Sequence, residues 1–370
     1  MRKIRLKKQK KTIDRKLFLI TVVLTILGLV AVADASAPQA INTFSDKFYF
    51  VKQQLVWGFF GFLALIVATR IHYSFWGKIA TLLLGASVII LILALTPWAG
   101  VANLGARRWV FIGPLSIQPS EFVKLSLAIY LAKVAQKEKG MLAFFLPLLI
   151  VTGLIMAQPD FGTTVVVVLM GGAQIFASGI KLVPFFLSIF GTGVIAVLAI
   201  LLSDYRKERV LTYLKFSSEP LGSAYHIRQV LLALGSGGLL GIGLGQSRQK
   251  YLFLPEAATD SIFAVIAEEV GFIGASILII IFVAFIVRGL GIAKKAPDKF
   301  AAVLAVGIVT WIGGQAFVNM GAMTALLPLT GIPLPFFSYG GSALVTVLFA
   351  TGILLNISKH VSKGERKRRQ

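Results

Sequence analysis

A few polar residues break an otherwise apolar chain at positions where they could carry chemistry. Asp260, in Leu254-Pro255-Glu256-Ala257-Ala258-Thr259-Asp260-Ser261, stands just ahead of a long apolar run. A carboxylate there can act as a general base toward a hydroxyl, or it can cap the helix that follows, as Asp does well. Glu268 and Glu269 come roughly two turns further on, about 12 Å deeper by the helical rise. Ionisable groups at that depth are costly and face a partner or a cavity, so a structural ion pair and a functional site are both open. Glu121 and Lys124 follow Gln118-Pro119-Ser120 at i, i+3 spacing, on one face of a helix. Gly105-Ala106-Arg107-Arg108-Trp109 places two guanidinium groups beside an indole. Arg can grip a phosphate through two parallel hydrogen bonds, while Trp is a common anchor at a membrane interface. Gln158-Pro159-Asp160 reads as a polar hinge or a plain turn.

Several classes of chemistry are excluded. The chain has no Cys, so it has no thiolate nucleophile, no disulfide and no Cys-ligated metal. The run Gly235-Ser236-Gly237-Gly238-Leu239-Leu240-Gly241-Ile242-Gly243-Leu244-Gly245 is glycine-rich like a phosphate loop but lacks the Gly-Lys-Ser/Thr ending, which argues against a nucleotide site. Pro333-Leu334-Pro335-Phe336-Phe337-Ser338-Tyr339-Gly340-Gly341-Ser342 is an uncharged irregular stretch, of a kind tolerated when it is buried in protein or lines a cavity.

The elements that must position these groups are membrane helices. Charged residues are 14% of the 370 and apolar ones 57%, too little polar surface for a water-soluble domain of this length. Apolar runs fit crossings at 17–32, 52–71, 76–97, 118–135, 142–158, 161–179, 182–203, 259–288, 298–324 and 337–357. The expectation is an all-α integral membrane protein of about ten transmembrane helices, because a backbone in lipid must satisfy its own amides. The net charge of +22 would suggest nucleic acid in a soluble protein, but the cations crowd the tails and short loops, which makes them topology signals and leaves no nucleic-acid partner. Residues 1–16 and 359–370 read as basic cytoplasmic tails around a transmembrane domain over 17–358. A cleaved signal peptide ending in Ala33-Asp34-Ala35-Ser36-Ala37 is the rival for the first segment, against which stands an apolar run longer than a usual signal core. No internal repeat is visible, which weakens a transporter built on inverted repeats.

The one long connection, 204–258, lies between the seventh and eighth crossings on the outer side. Ile227, Val230, Leu231, Leu232 and Leu234 make an apolar helical pattern ahead of the glycine run, which suggests an interfacial helix followed by a tight, close-packed turn. Arg107, Arg108, Arg206, Lys207, Arg209, Lys215, Arg228, Arg248 and Lys250 put cations on the side that is usually poor in them.

Three stretches together resemble one family: Arg108-Trp109 with Gln118-Pro119-Ser120-Glu121-Phe122-Val123-Lys124; Ser247-Arg248-Gln249-Lys250 through Leu254-Pro255-Glu256 and Thr259-Asp260 to Glu268-Glu269; and Gly331-Ile332-Pro333-Leu334-Pro335 to Ser338-Tyr339-Gly340-Gly341-Ser342. The chain is similar to the SEDS family, the FtsW, RodA and SpoVE peptidoglycan glycosyltransferases, over nearly its whole length. Ser247-Arg248-Gln249-Lys250-Tyr251 looks more like the FtsW and SpoVE branch, which favours division over elongation. The sequence departs from the family pattern at Ala258, where His is common, and at Ser261, where Phe is common.

The resemblance implies polymerisation of lipid II into glycan strands at the outer face of the bacterial cytoplasmic membrane. A class B penicillin-binding protein would be the transpeptidase partner, alongside other division proteins and membrane lipid. It makes Asp260 the essential carboxylate, with Glu121, Asp160, Glu268, Glu269 and Ser338 in the functional core. A lipid pyrophosphate leaves readily, so one base and a cationic cradle suffice. Arg108, Lys124, Arg206, Arg209, Arg248 and Lys250 are the candidates for that cradle. A divalent ion, Mg or Mn, could share the work. Competing readings are a RodA-like elongation polymerase, a lipid II flippase and a non-catalytic scaffold for the penicillin-binding protein.

Overall fold

The computed structural model describes residues 12–97, 100–103, 106–112, 115–180, 225–251 and 253–361. The expected crossing at 182–203, the candidates Arg206 and Arg209, most of the N-terminal tail and residues 362–370 of the C-terminal one lie outside the described residues.

Eleven helices and one small sheet make up the described part. They are α1 (Arg15–Ala35), α2 (Ala37–Phe44), α3 (Tyr49–Arg70), α4 (Ser74–Leu95), strands β1 (Gly100–Asn103), β2 (Ala106–Ile112) and β3 (Leu115–Ile117), then α5 (Pro119–Gln136), α6 (Leu142–Ala157), α7 (Phe161–Ala177), α8 (Tyr225–Gly237), α9 (Ile262–Lys294), α10 (Lys299–Met323) and α11 (Gly341–Lys359). Six of these, α1, α3, α4, α9, α10 and α11, are long and apolar enough to cross a bilayer, and α6 and α7 are shorter apolar helices. Helices α1, α3, α4 and α9 turn most of their apolar surface outward, with Phe59, Leu82 and Val287 among many exposed side chains, whereas α10 and α11 are mostly buried. That is the pattern of a multi-pass membrane protein whose solvent at the periphery is lipid.

Local chemistry sets the helix boundaries. Asp14, Asp160 and Asp298 each accept a backbone N–H of the first turn and so start α1, α7 and α10. Pro119 occupies the first position of α5, where its missing N–H costs nothing. Leu17, Leu24 and Val32 of α1 are fully buried, so the first apolar segment packs into the core, and Ala33–Ala37 runs from the end of α1 into α2.

Three expectations need correction. The chain is not all-α, because β1, β2 and β3 form an antiparallel sheet in that order between α4 and α5. Asp260 is not the cap of α9, since the helix begins at Ile262 with Ser261 at its N-cap position. Nor is α9 continuous. Gly271 breaks it with φ 69° and ψ −172°, a region essentially open only to glycine.

The break explains the glycine run. Segment 238–243 passes alongside it, and backbone groups pair across: Ile242 N donates to Glu268 O at 3.1 Å, Gly243 N to Glu269 O at 3.1 Å, Phe272 N to Gly238 O at 2.9 Å and Ile273 N to Leu239 O at 3.1 Å. Helical hydrogen bonds lost at the break are thereby replaced, as a low-dielectric setting demands. The approach is close enough that a Cβ on Gly271 would lie 2.2 Å from Gly241 N. Gly271→Ala is therefore expected to cost about 2 kcal/mol or more through backbone strain and overpacking. The check is its melting temperature in detergent by fluorescence-detected size exclusion; an unchanged value would refute this account of the break.

Candidate active site

The ends of α1, α4, α6 and α10 and the starts of α3, α5, α7, α9 and α11 gather at one end of the bundle, and the polar residues singled out above gather with them. Asp260 is half-buried in the turns that precede α9, with its Oδ2 beside Gly331, where an added Cβ would stand 3.3 Å away. Gly331 has φ +67°, so the segment can keep that bare backbone turned to the carboxylate only with glycine here.

The backbone around Asp260 is held from several sides. Asn319 Nδ2, on α10, donates to Asp260 O and to Ile332 O, both at 2.8 Å. Ser338 Oγ donates to Thr259 O and accepts from Leu334 N at 2.7 Å, and Tyr339 N donates to Ala258 O at 2.9 Å. The irregular stretch 330–340 is thus buried and stitched to the Asp260 turn. Two bulky or charged residues, Glu256 at φ 50° and Phe336 at φ 68°, sit in the left-handed region within these same segments, a strain that the surrounding hydrogen bonds must maintain.

Arg108 owes its position to a β-bulge. The register jumps between Val101↔Trp109 and Ala102↔Arg107, which leaves Arg108 as the extra residue and re-aims its side chain. Its Nε donates to Gln158 O at 3.2 Å and its NH2 to Pro159 O, so the guanidinium rests on the turn that leads into α7. Asp160 there caps α7 through Thr163 N at 3.0 Å and Thr163 Oγ1 at 2.8 Å.

Two cations expected in a pyrophosphate cradle are engaged elsewhere. Lys124 is fully buried, with its Nζ 2.7 Å from Glu121 Oε1, 2.6 Å from Gln315 Oε1 and 5.2 Å from the Trp311 ring. Lys250 is buried between Asp34 Oδ1 at 2.6 Å and Glu269 Oε1 at 2.8 Å. A buried ammonium already neutralised in this way has little left to offer an incoming anion. Glu268 receives Ser247 Oγ, Arg248 N and Gln249 N, so both deep carboxylates of α9 clamp the loop at 247–250. Arg248 is exposed and Arg108 half-buried, and these are the described cations of the expected cradle that are neither buried nor ion-paired.

Burial works against the charge of Lys250, but the hydrogen bonds and charges of Asp34 and Glu269 outweigh it and raise its pKa above the ordinary lysine value. A raised lysine pKa stabilises fully below the unfolded value and is lost as pH rises through the folded one, so the lysine's contribution to this clamp is present at neutral pH and is lost in strong alkali. Lys250→Ala is expected to loosen 238–251 and to speed its amide exchange at least tenfold, since two buried carboxylates lose their partner. Unchanged exchange would show that the ion triad does not hold the loop.

The pattern of the FtsW/RodA/SpoVE family, described as cell cycle proteins, matches residues 14–363. The chain belongs to this family. It is 42% identical over 357 residues to the stage V sporulation protein E of Bacillus subtilis, covering 94% of this chain and 97% of that one. It is 40% identical over 360 residues to a probable peptidoglycan glycosyltransferase FtsW of Geobacter metallireducens, covering 93% and 94%. A solved chain from work on the coordination of polymerization and crosslinking by a peptidoglycan synthase complex superposes with a TM-score of 0.76 at 27% identity, covering 97% of this chain and 99% of that one. The Thermus thermophilus rod shape determining protein RodA gives 0.69 at 27%, covering 97% and 98%.

Against the FtsW/RodA/SpoVE pattern, the two departures beside Asp260 are accommodated. Ser261 Oγ donates to Pro255 O at 2.9 Å and lies 2.8 Å from His226 Nε2 on α8, so the polar side chain at 261 has partners of its own. Ala258 is buried and its carbonyl is used by Tyr339. Among the described residues no group of three or more His, Cys, Asp or Glu side chains comes together, and Mg or Mn enters no step below.

Asn319, Gln315, Asp34 and His226 were not anticipated as site residues from the sequence. Gln315 and Asn319 carried the most legible signal: two amides at i, i+4 in an otherwise apolar helix.

Proposed function

We propose that this chain is a peptidoglycan glycosyltransferase that polymerises lipid II into glycan strands, working in septal wall synthesis. Its relatives named FtsW and SpoVE support the reaction and the branch. The observation that carries the reading is the placement of Asp260: one half-buried carboxylate, fixed through its backbone at the end of the bundle where the family's motifs meet. A sugar hydroxyl attacks the anomeric carbon of a lipid-linked disaccharide, the new C–O bond forms as the bond to the pyrophosphate oxygen breaks, and the configuration inverts. Asp260 accepts the hydroxyl proton, and Arg108 and Arg248 neutralise charge on the departing pyrophosphate.

The site end faces away from the cytoplasm of a bacterial inner membrane. Arg70, Lys78, Lys133, Lys137, Lys139, Lys294, Lys295 and Lys299 lie at the opposite end, and this excess of cations supports a cytoplasmic placement of that end and of both termini. A class B penicillin-binding protein supplies crosslinking, and further division proteins assemble with the pair. Purified lipid II incubated with the protein reconstituted beside that partner should yield glycan polymer on a gel. No polymer from a folded, assembled complex would overturn the assignment in favour of a scaffold.

A further inference from the structure

Asp260 acts at a position that its own backbone must hold, and Asn319 holds that backbone directly at Asp260 O. This side chain is buried at 1% exposure, yet both of its described hydrogen bonds are donations to main-chain carbonyls, one on each of two segments that meet at the site. One is Asp260 O, on the turn that carries the carboxylate; the other is Ile332 O, one residue beyond the Gly331 against which that carboxylate rests. One turn earlier on the same face of α10, Gln315 repeats the pattern, with its Nε2 donating to Pro333 O at 2.8 Å while its Oε1 accepts from Trp311 Nε1 at 3.0 Å and from Lys124 Nζ at 2.6 Å. The two amides therefore form a ladder from the Glu121–Lys124 pair to the Asp260 turn. Asn319 Oδ1 is buried with no hydrogen-bond partner, so the amide is oriented by its NH2 group alone, as a two-pronged donor between two carbonyls.

We infer that Asn319 is a positioning residue for the glycosyl transfer, setting the distance between the Asp260 carboxylate and the 330–333 segment against which the acceptor sugar is activated. The inference rests on Asp260 being the base. Aliphatic packing could hold α10 against the loop, but only a donor with two N–H groups satisfies two carbonyls from different segments at one point. An aspartate of the same shape offers neither N–H and adds a negative charge.

The charged and titratable groups on the elements around this point are the Glu121–Lys124 pair on α5, Asp160 at the head of α7, Glu256 in the same turn as Asp260, and His226 and Arg228 on α8; the two carboxylates deeper in α9 are held by the loop at 247–250. A new carboxylate at 319 disfavours ionisation of Asp260 and so moves the acid limb of the rate profile to higher pH.

The test is lipid II polymerisation by the complete chain with its penicillin-binding partner across a range of pH, for wild type, Asn319→Leu, Asn319→Asp, Asp260→Asn and Gln174→Leu. Gln174 is the control, a buried amide that ties Ala128 O and Val303 O in the middle of the bundle. Asn319→Leu is expected to lower the maximal rate at least tenfold per folded molecule, with lipid II affinity little changed. Asn319→Asp is expected to move the acid limb upward, so that the ratio of rates in mildly acidic and mildly alkaline buffer falls about fivefold. Gln174→Leu should reduce the folded fraction without moving the limb. If Asp260→Asn is inactive and Asn319→Asp lowers the rate without shifting the limb, Asn319 is structural only and the inference fails. If Asp260→Asn stays active, the assignment of the base fails instead.

Discussion

Asp260→Asn should yield a complex that folds, assembles and binds lipid II but makes about a thousandfold less glycan polymer than wild type, the usual scale for loss of a general base. The substitution is nearly isosteric, and the structure offers reasons for the fold to tolerate it. Three contacts anchor this turn through its backbone atoms: Asn319 holds Asp260 O, Ser338 holds Thr259 O and Tyr339 N reaches Ala258 O. Nor does Asp260 occupy the N-cap position of α9, which is Ser261. What changes is the ability to accept a proton. Polymer assayed beside lipid II binding separates the two, and activity within tenfold of wild type would remove Asp260 from the role of base.

The second large effect is structural and lies at the opposite rung of the ladder. Lys124→Met is expected to destabilise the protein by about 3–5 kcal/mol, because it strands Glu121 as an unpaired charge in the core. Glu121 has no reserve of partners. Its Oε1 is held by Lys124, its Oε2 is buried with no hydrogen-bond partner, and the residue is 1% exposed. Gln315 Oε1 loses a donor as well but keeps Trp311 Nε1. The double variant Lys124→Met with Glu121→Gln should recover most of the loss, since no net charge is then left buried. Melting of single and double variants by size exclusion reads this directly. A double variant no better than the single one would mean that Lys124 acts by something other than compensating Glu121.

The long apolar helices were legible because apolar length is a strong signal, and those described overlap the crossings expected for them, whereas the short α2 was not foreseen. The sheet was not, because 100–117 holds three short strands whose pairing is decided by turns and a bulge rather than by composition. The interruption of α9 was hidden for a related reason. Gly271 lies in an apolar run, and glycine in such a run reads as tolerated until a partner backbone is seen beside it. Motif residues were found by type, but their occupations were not. Lys250 looked like a free cation near a phosphate, and nothing nearby in sequence announces that Asp34, at the end of the first helix, completes its pairing. Arg108 rests on the turn ahead of α7 through a bulge that no periodicity would reveal.

The interrupted helix bears on how the chain is made. When the second half of α9 leaves the ribosome, the backbone groups around Gly271 need partners at once, and those partners lie in segment 238–243, already synthesised and close in the chain. The unit from α8 to α9 therefore closes by a short-range contact and can form before α10 and α11 exist. Biogenesis would then proceed with the loop docking onto the emerging helix inside the insertion machinery. A chain truncated after α9 should already protect 238–243 from exchange.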